Sequence, residues 1–226
     1  MKKFFNVVLL ALFGTSFAQA QGDKTFEFTY EGQTLQYEVA NGNEAMVSEQ
    51  QSAKISGDVK IPENVTFAGE KYRVTTIGQK AFFYCDTLTS VSIPNSVTTI
   101  GTEAFGNCRG LTSITIPNSV KTIEASAFWG CEGLTNVFLP NSVETIEASA
   151  FGSCENLKSI DVAKDNSHYS SENGVLFDIS KKTLIQYPCG IKGKYVIPNS
   201  VTTIGEGAFM YCGITDVTIP NNVKTI

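Results

Sequence analysis

Six cysteines are the most reactive side chains in this chain, and a thiol can serve as a nucleophile, a zinc ligand or half of a disulfide. Their spacing weighs against the first two. Cys85, Cys108, Cys131 and Cys154 recur every 23 residues, and Cys212 holds the same place in its own segment. A thiol nucleophile or a zinc site needs a histidine or a clustered second ligand, whereas the chain has only His168 and neither C-x-x-C nor H-E-x-x-H. His168 lies in the polar stretch K-D-N-S-H-Y-S-S-E-N-G and reads as a solvated loop residue. Asp165, Glu172 and Asp178 lack the spacing and central glycine of a calcium loop. No catalytic residue, metal site or cofactor is expected. Positions stacked at about 4.8 Å fall within reach of a disulfide, but parallel side-chain vectors fit its dihedral poorly, so the thiols are expected to pack as small hydrophobes. Cys189 lies nine residues before Pro198, the offset of Cys108 from Pro117, and belongs either to the column or to the surface.

The element that positions these thiols is a repeat. Residues 74–96 read VTTIGQKAFFYCDTLTSVSIPNS, 97–119 read VTTIGTEAFGNCRGLTSITIPNS and 120–142 read VKTIEASAFWGCEGLTNVFLPNS, without a gap. Further units start at Val143 and Val201, and another begins at Val223. A column of apolar positions at a fixed period means that each unit buries its hydrophobic face against its neighbours, which is the signature of a solenoid. Within a unit Leu88, Val91 and Ile93 point inward on a short strand while Ser90 and Ser92 alternate outward. The A-F-x-x-C segment, too short for a long helix, is predicted to be one helical or 3₁₀ turn with Ala and Phe inward. Pro94, Pro117, Pro140, Pro198 and Pro220 end the strands, and the Asn after each is expected to form a column of side-chain amides between turns.

The pattern I-P-N-S-V-x-x-I-x-x-x-A-F-x-x-C-x-x-L-x-x-V/I resembles the BspA-type leucine-rich repeats of surface and secreted proteins from anaerobic Gram-negative bacteria, over about residues 58 to 226. The stretch DVAKDNSHYSSENGVLFDISKKTLIQYP is similar to an insertion that recurs in that family, and GDVKIPENVTFAGEKYRVTTIG to its leading region, with a hairpin turning at Ala68-Gly69. The resemblance implies a leucine-rich-repeat solenoid, a right-handed β/α or β/3₁₀ solenoid of parallel short strands. It also implies extracellular binding, with adhesion to host proteins and to other bacteria in some members, and no catalytic residue. Scaffold transfers between repeat proteins better than ligand does.

Residues 1–20 read as a secretory signal peptide: Lys2 and Lys3, an apolar run, then Ala18-Gln19-Ala20, with cleavage expected between Ala20 and Gln21. The run is shorter than a bilayer span, and no later stretch is long and apolar enough to cross one. Residues 21–57 do not repeat; Thr25 to Val39 alternates across Glu31-Gly32 and is predicted to be a β-hairpin that caps the solenoid. Residues 58–226 form the array, with an insertion at about 163–192 in which Gly174-Val175-Leu176-Phe177 and Thr183-Leu184-Ile185-Gln186-Tyr187 make a second hairpin. Four residues of a further unit stand at the C-terminus, so the array is expected to be truncated there, or covered by another molecule, including a second copy. The chain is expected to be secreted or displayed on the cell surface. Loss of the two leader lysines takes the formal charge from −5 to −7, which gives no attraction for phosphate backbones, so nucleic acid is an unsuitable partner.

The outward strand positions Ser90, Ser92, Ser113, Thr115, Asn136, Phe138, Ser159, Asp161, Asp216 and Thr218 are the candidate ligand-binding face, expected to be continuous. Most are small and polar, which also suits a merely solvated sheet, but Phe138 is the type of residue that anchors an interface. An extracellular protein is the expected partner. A glycan is the alternative, because Asn136 stands beside Phe138, and a structural spacer in a longer surface protein is a third reading. Trp129, Phe83 and Met210 share one slot with Gly106 and Gly152 and are expected to be edge packing, with a second apolar patch as the alternative.

Overall fold

Two parallel strands per unit, rather than one, carry the stacking. The computed structural model describes residues 24–226, so the expected leader and the Ala20/Gln21 cleavage point lie outside the described residues. The anticipated strand appears as Leu88–Ser92, Ser113–Ile114, Asn136–Leu139, Ser159–Val162 and Ile214–Thr218. A second strand forms from the V-x-T-I segment, at Thr99–Ile100, Thr122–Ile123, Thr145–Ile146 and Thr203–Ile204. Thr76, Thr99, Thr122 and Thr145 pair in one parallel ladder, with Ile77, Ile100, Ile123 and Ile146 beside them. Two residues are too few to show a period of two, so this sheet was hidden in the sequence although its residues are β-branched.

The A-F-x-x-C segment is not helical; the 3₁₀ turn Ser52–Lys54 is the one helical element among the described residues. Its backbone alternates between two kinds of bond. Ala81 and Cys85 donate to the carbonyls three residues back, Gly78 and Phe82, whereas Lys80, Phe82 and Tyr84 donate to Thr102, Ala104 and Gly106 of the next coil. Since every second amide is claimed by the neighbouring coil, an α-helix cannot form. Lys80, Glu103, Ser126 and Ser149 all have positive φ between 54° and 57°, the signature of the third residue of a type II turn. The inward placement of Ala and Phe is as expected. Phe82, Phe105, Phe128 and Phe151 are fully buried and stack at centroid distances of 5.2, 5.2 and 5.3 Å with nearly parallel planes.

The expected column of side-chain amides after the prolines does not form. The Asn after each Pro is exposed. Asn166, which takes the place of Val143 one coil on, donates to the carbonyls of Pro140 and Val143. The slot after the Pro-Asn pair turns inward at Asn222, which donates to the carbonyls of Asn199 and Val201. Ser96, Ser119 and Ser142 occupy that slot elsewhere; their hydroxyls are buried without a partner among the described residues.

At the N-terminal end, strands Thr25–Tyr30 and Gln33–Val39 form the hairpin across Glu31-Gly32, and Glu44–Val47 completes an antiparallel meander. Glu44–Val47 also runs parallel to Glu70–Ile77, so stacking begins within the segment that does not repeat in sequence. Leu35, Tyr37 and Val47 seal the first coil. The Ala68-Gly69 turn joins Asn64–Phe67 to Glu70–Ile77.

The insertion is a three-stranded meander, Tyr169–Glu172, Val175–Asp178 and Thr183–Gln186, whose last strand also pairs in parallel with Thr203–Ile204. That strand therefore doubles as the T-I strand of a fifth, shortened coil. Five positions separate Leu184 from Cys189, where eight separate Ile100 from Cys108, so this coil lacks the A-F-x-x-C turn. Buried apolar residues divide accordingly into a larger core, from Phe26 to Ile160 with Leu176, and a smaller one from Val175 to Ala208.

Candidate functional site

The cysteine column is structural. Cys108, Cys131 and Cys154 donate their S–H to the carbonyls of Phe82, Phe105 and Phe128 at 2.9, 3.1 and 3.1 Å. Burial pushes the Cys85 and Cys154 thiols up to about 12 and raises Cys108 and Cys131 well above the usual range. A thiol of this kind is neither a nucleophile nor a ligand at neutral pH. Among the described residues no group of His, Cys, Asp and Glu is placed to hold a metal ion. The expectation of free thiols fails at one place: Cys189 joins the column, and its sulfur bonds to that of Cys212, the Cα atoms 4.2 Å apart. The shortened coil replaces A-F-x-x-C with Q-Y-P-C. The turn whose Phe carbonyl accepts the thiol elsewhere is absent there.

These thiols make stability alkali-sensitive. Below the ordinary thiol value of 9.0 both folded and unfolded chains keep them protonated, and their contribution is complete. Above it the unfolded thiols ionise while the folded ones resist until about 12, so stability falls through that window, by up to about 1.4 kcal/mol per thiol per pH unit. Urea midpoints at pH 8, 9.5 and 10.5 should decline steeply, and more gently in a Cys131→Ala, Cys154→Ala chain. Equal slopes for the two chains would remove the thiols as the cause.

On the strand face, pairing registers align the outward residues in two columns. Ser90 pairs with Ser113, Asn136 with Ser159 and Lys194 with Asp216; Phe138 pairs with Asp161 and Val196 with Thr218. Ser90 and Ser159 are half-buried, and Ser92, Ser113, Thr115, Asn136, Phe138, Asp161, Asp216 and Thr218 are exposed. The face is not one continuous sheet as expected. Hydrogen-bonded pairing breaks between Ile114 and Asn136, and the insertion separates Ser159–Val162 from Gly193–Val196. Four further residues belong to the face. Asp58 and Lys60 pair with Ser90 and Ser92, while Lys194 and Val196 fill the fifth coil. G-D-V-K-I-P and K-Y-V-I-P carried the signal, since each ends in the strand-terminating I-P.

Polar groups on this face largely satisfy one another. Asp58 accepts from Ser90 at 2.6 Å and Thr89 at 2.9 Å, which holds its carboxyl below the usual range. Ser159 Oγ lies 2.9 Å from both Asn136 Oδ1 and Asp161 Oδ2. Lys194 faces Asp216 at 3.4 Å. Ser90, Ser92, Ser113 and Thr115 line a shallow depression of about 390 Å³. Phe138, 55% exposed, stands one coil beyond it.

A second surface lies at the A-F-x-x-C edge. Phe83 and Trp129 are half-buried there because each ring lies against a glycine of the next coil: a Cβ on Gly106 would meet the Phe83 ring at 2.8 Å, and one on Gly152 would meet Trp129 at 3.1 Å. Phe83 and Trp129 therefore pack at the edge as expected, whereas Met210, expected to do the same, is exposed, as are Tyr84 and Tyr211 beside it.

Comparison with known proteins agrees with this architecture. The model of the BspA type leucine-rich repeat region matches residues 75–192 and 178–226 in six copies. The chain belongs to the BspA-type leucine-rich-repeat family. No curated protein matches this BspA-type chain. Among solved structures, a leucine-rich repeat protein from Eubacterium ventriosum is 23% identical with a TM-score of 0.63, covering 84% of this chain. The chain spans 59% of that structure's length. The pneumococcal vaccine antigen PcpA is 19% identical with a TM-score of 0.61, covering 91% of this chain and 73% of its own. A leucine rich cell surface protein from Faecalibacterium prausnitzii is 21% identical with a TM-score of 0.52, covering 88% and 77%. These likenesses show the fold.

Proposed function

We propose that this BspA-type chain is an exported, non-enzymatic scaffold that binds an extracellular protein through its strand face, in the manner of an adhesin. The observation that carries the reading is Phe138, a large apolar ring 55% exposed on a rigid sheet, among small polar neighbours and beside a shallow depression. An aromatic held by a stiff scaffold loses little entropy on binding and excludes water over a wide area. The leader-like first twenty residues, the surface and secreted proteins of the family, and the cell-surface description of the Faecalibacterium protein support export. The thiol column and the absence of a metal-binding group among the described residues give no support to catalysis.

The test is a screen of the purified chain against immobilised matrix and bacterial surface proteins. Saturable binding is expected, weakened about tenfold or more by Phe138→Ala with the unfolding midpoint retained. Unchanged affinity in that variant would remove the strand face from the site.

A further inference from the structure

We propose that the A-F-x-x-C edge, opposite in chemistry to the strand face, is a platform for a neutral, extended β-linked polysaccharide. Aromatic residues gather on this edge at two neighbouring slots. Phe83 and Tyr84 make an edge-to-face pair at 4.5 Å, and Trp129 and Tyr211 another at 6.2 Å. Tyr84 is 50% exposed and Tyr211 64%, more than Phe138 in the second case. Trp129 reaches Tyr211 across coils because the shortened fifth coil lacks its turn, so that Gly207 closes directly onto Ser149.

Spacing and charge select the occupant. Phe83 and Trp129 occupy the same slot two coils apart, roughly 10 Å at twice the strand spacing, with Gly106 between them. A β-1,4-linked glucan is an extended ribbon whose sugars turn equivalent faces to the same side at every second residue, at a comparable spacing. The axial C–H groups of those faces stack on aromatic rings, and the equatorial hydroxyls reach polar groups to either side. Among the charges bordering the edge, Lys80 pairs with Glu103 at 3.3 Å, and Arg109 with Glu132 at 3.1 Å. Lys80 also lies over the Phe83 ring. The slot of Arg109 and Glu132 also carries Asp86 and Glu155, exposed and without an ion pair among the described residues, so the edge repels an acidic polymer, and its carboxylates can accept hydrogen bonds from the hydroxyls of a neutral one. Met210, 43% exposed beside Tyr211, widens the apolar area without adding charge.

Trp129 is the single tryptophan of the chain, so its emission reports on this edge directly. Titration with soluble β-glucan or hydroxyethylcellulose should shift Trp129 fluorescence saturably and retard the chain in a gel containing the polymer. Tyr84→Ala and Tyr211→Ala, which truncate exposed side chains, should each weaken binding about tenfold with unchanged unfolding midpoints, while Phe138→Ala leaves it intact. No retardation by either polymer would overturn the proposal. So would retardation insensitive to both tyrosine variants, or lost with Phe138→Ala, which would place a glycan on the strand face instead. Protein binding abolished by Tyr84→Ala and Tyr211→Ala, with neither polymer bound, would reassign the edge to a protein partner. The Phe138→Ala arm keeps failure here separate from failure of the strand-face reading.

Discussion

Phe128→Ala is expected to lower the free energy of unfolding by about 4 kcal/mol, the middle of the range for deleting a buried aromatic ring. The ring is fully buried and stacked on both sides, 5.2 Å from Phe105 and 5.3 Å from Phe151. Neighbouring atoms cannot close the cavity. The backbone on either side is pinned coil to coil, by Phe105 N to Ala127 O and by Phe128 N to Ala150 O, both at 2.8 Å. Because a solenoid couples each coil only to its neighbours, a hole in the third coil also weakens the connection between its two halves. Urea unfolding should therefore show a lower midpoint and a broader transition. Phe82→Ala, at the end of the ring stack with one stacked neighbour, should cost less by roughly one ring pair, about 1 kcal/mol. Equal losses for the two variants would contradict the stacking argument.

Removing the Cys189–Cys212 bond should cost about 3 kcal/mol on the chain-entropy model, because it closes a 23-residue loop. The loss is expected to be local. The bond lies within the smaller core, where Tyr187, Ile197 and Val201 pack apart from the main cluster. In a Cys189→Ser, Cys212→Ser chain, amide exchange should accelerate through residues 183–218 while the stretch from Val74 to Ile123 keeps its protection. Uniform acceleration over the whole chain would mean that the two cores unfold as one. Reduction of the wild-type chain should reproduce the same pattern, since the other four thiols are already free.

The difference between what could and could not be read in the sequence follows the length of the signal. The 23-residue period located the inward Ala, Phe, Cys, Leu and Ile columns, because each is reinforced by several copies. The T-I strands escaped notice because two residues carry no periodicity. The turn of A-F-x-x-C differs from the expected helical or 3₁₀ turn because its alternate amides are satisfied by the next coil, and no local pattern shows where a hydrogen bond goes between coils. Of the strand face, the columns containing Ser90 and Phe138 were legible from the alternation before I-P. Asp58, Lys60, Lys194 and Val196 stand in degenerate copies of the same motif, where the alternation alone does not mark them.

By itself the sequence determined the solenoid, its family, its buried columns and the outward residues, since a one-dimensional repeat lets local pattern stand for tertiary contact. The tertiary structure alone decided three things. It broke the strand face between Ile114 and Asn136. It oxidised one cysteine pair and left four thiols hydrogen-bonded or buried. It also drew Trp129 and Tyr211 together across the shortened coil. Each depends on how neighbouring coils settle against one another where the repeat is imperfect, and there the period no longer says which atoms meet.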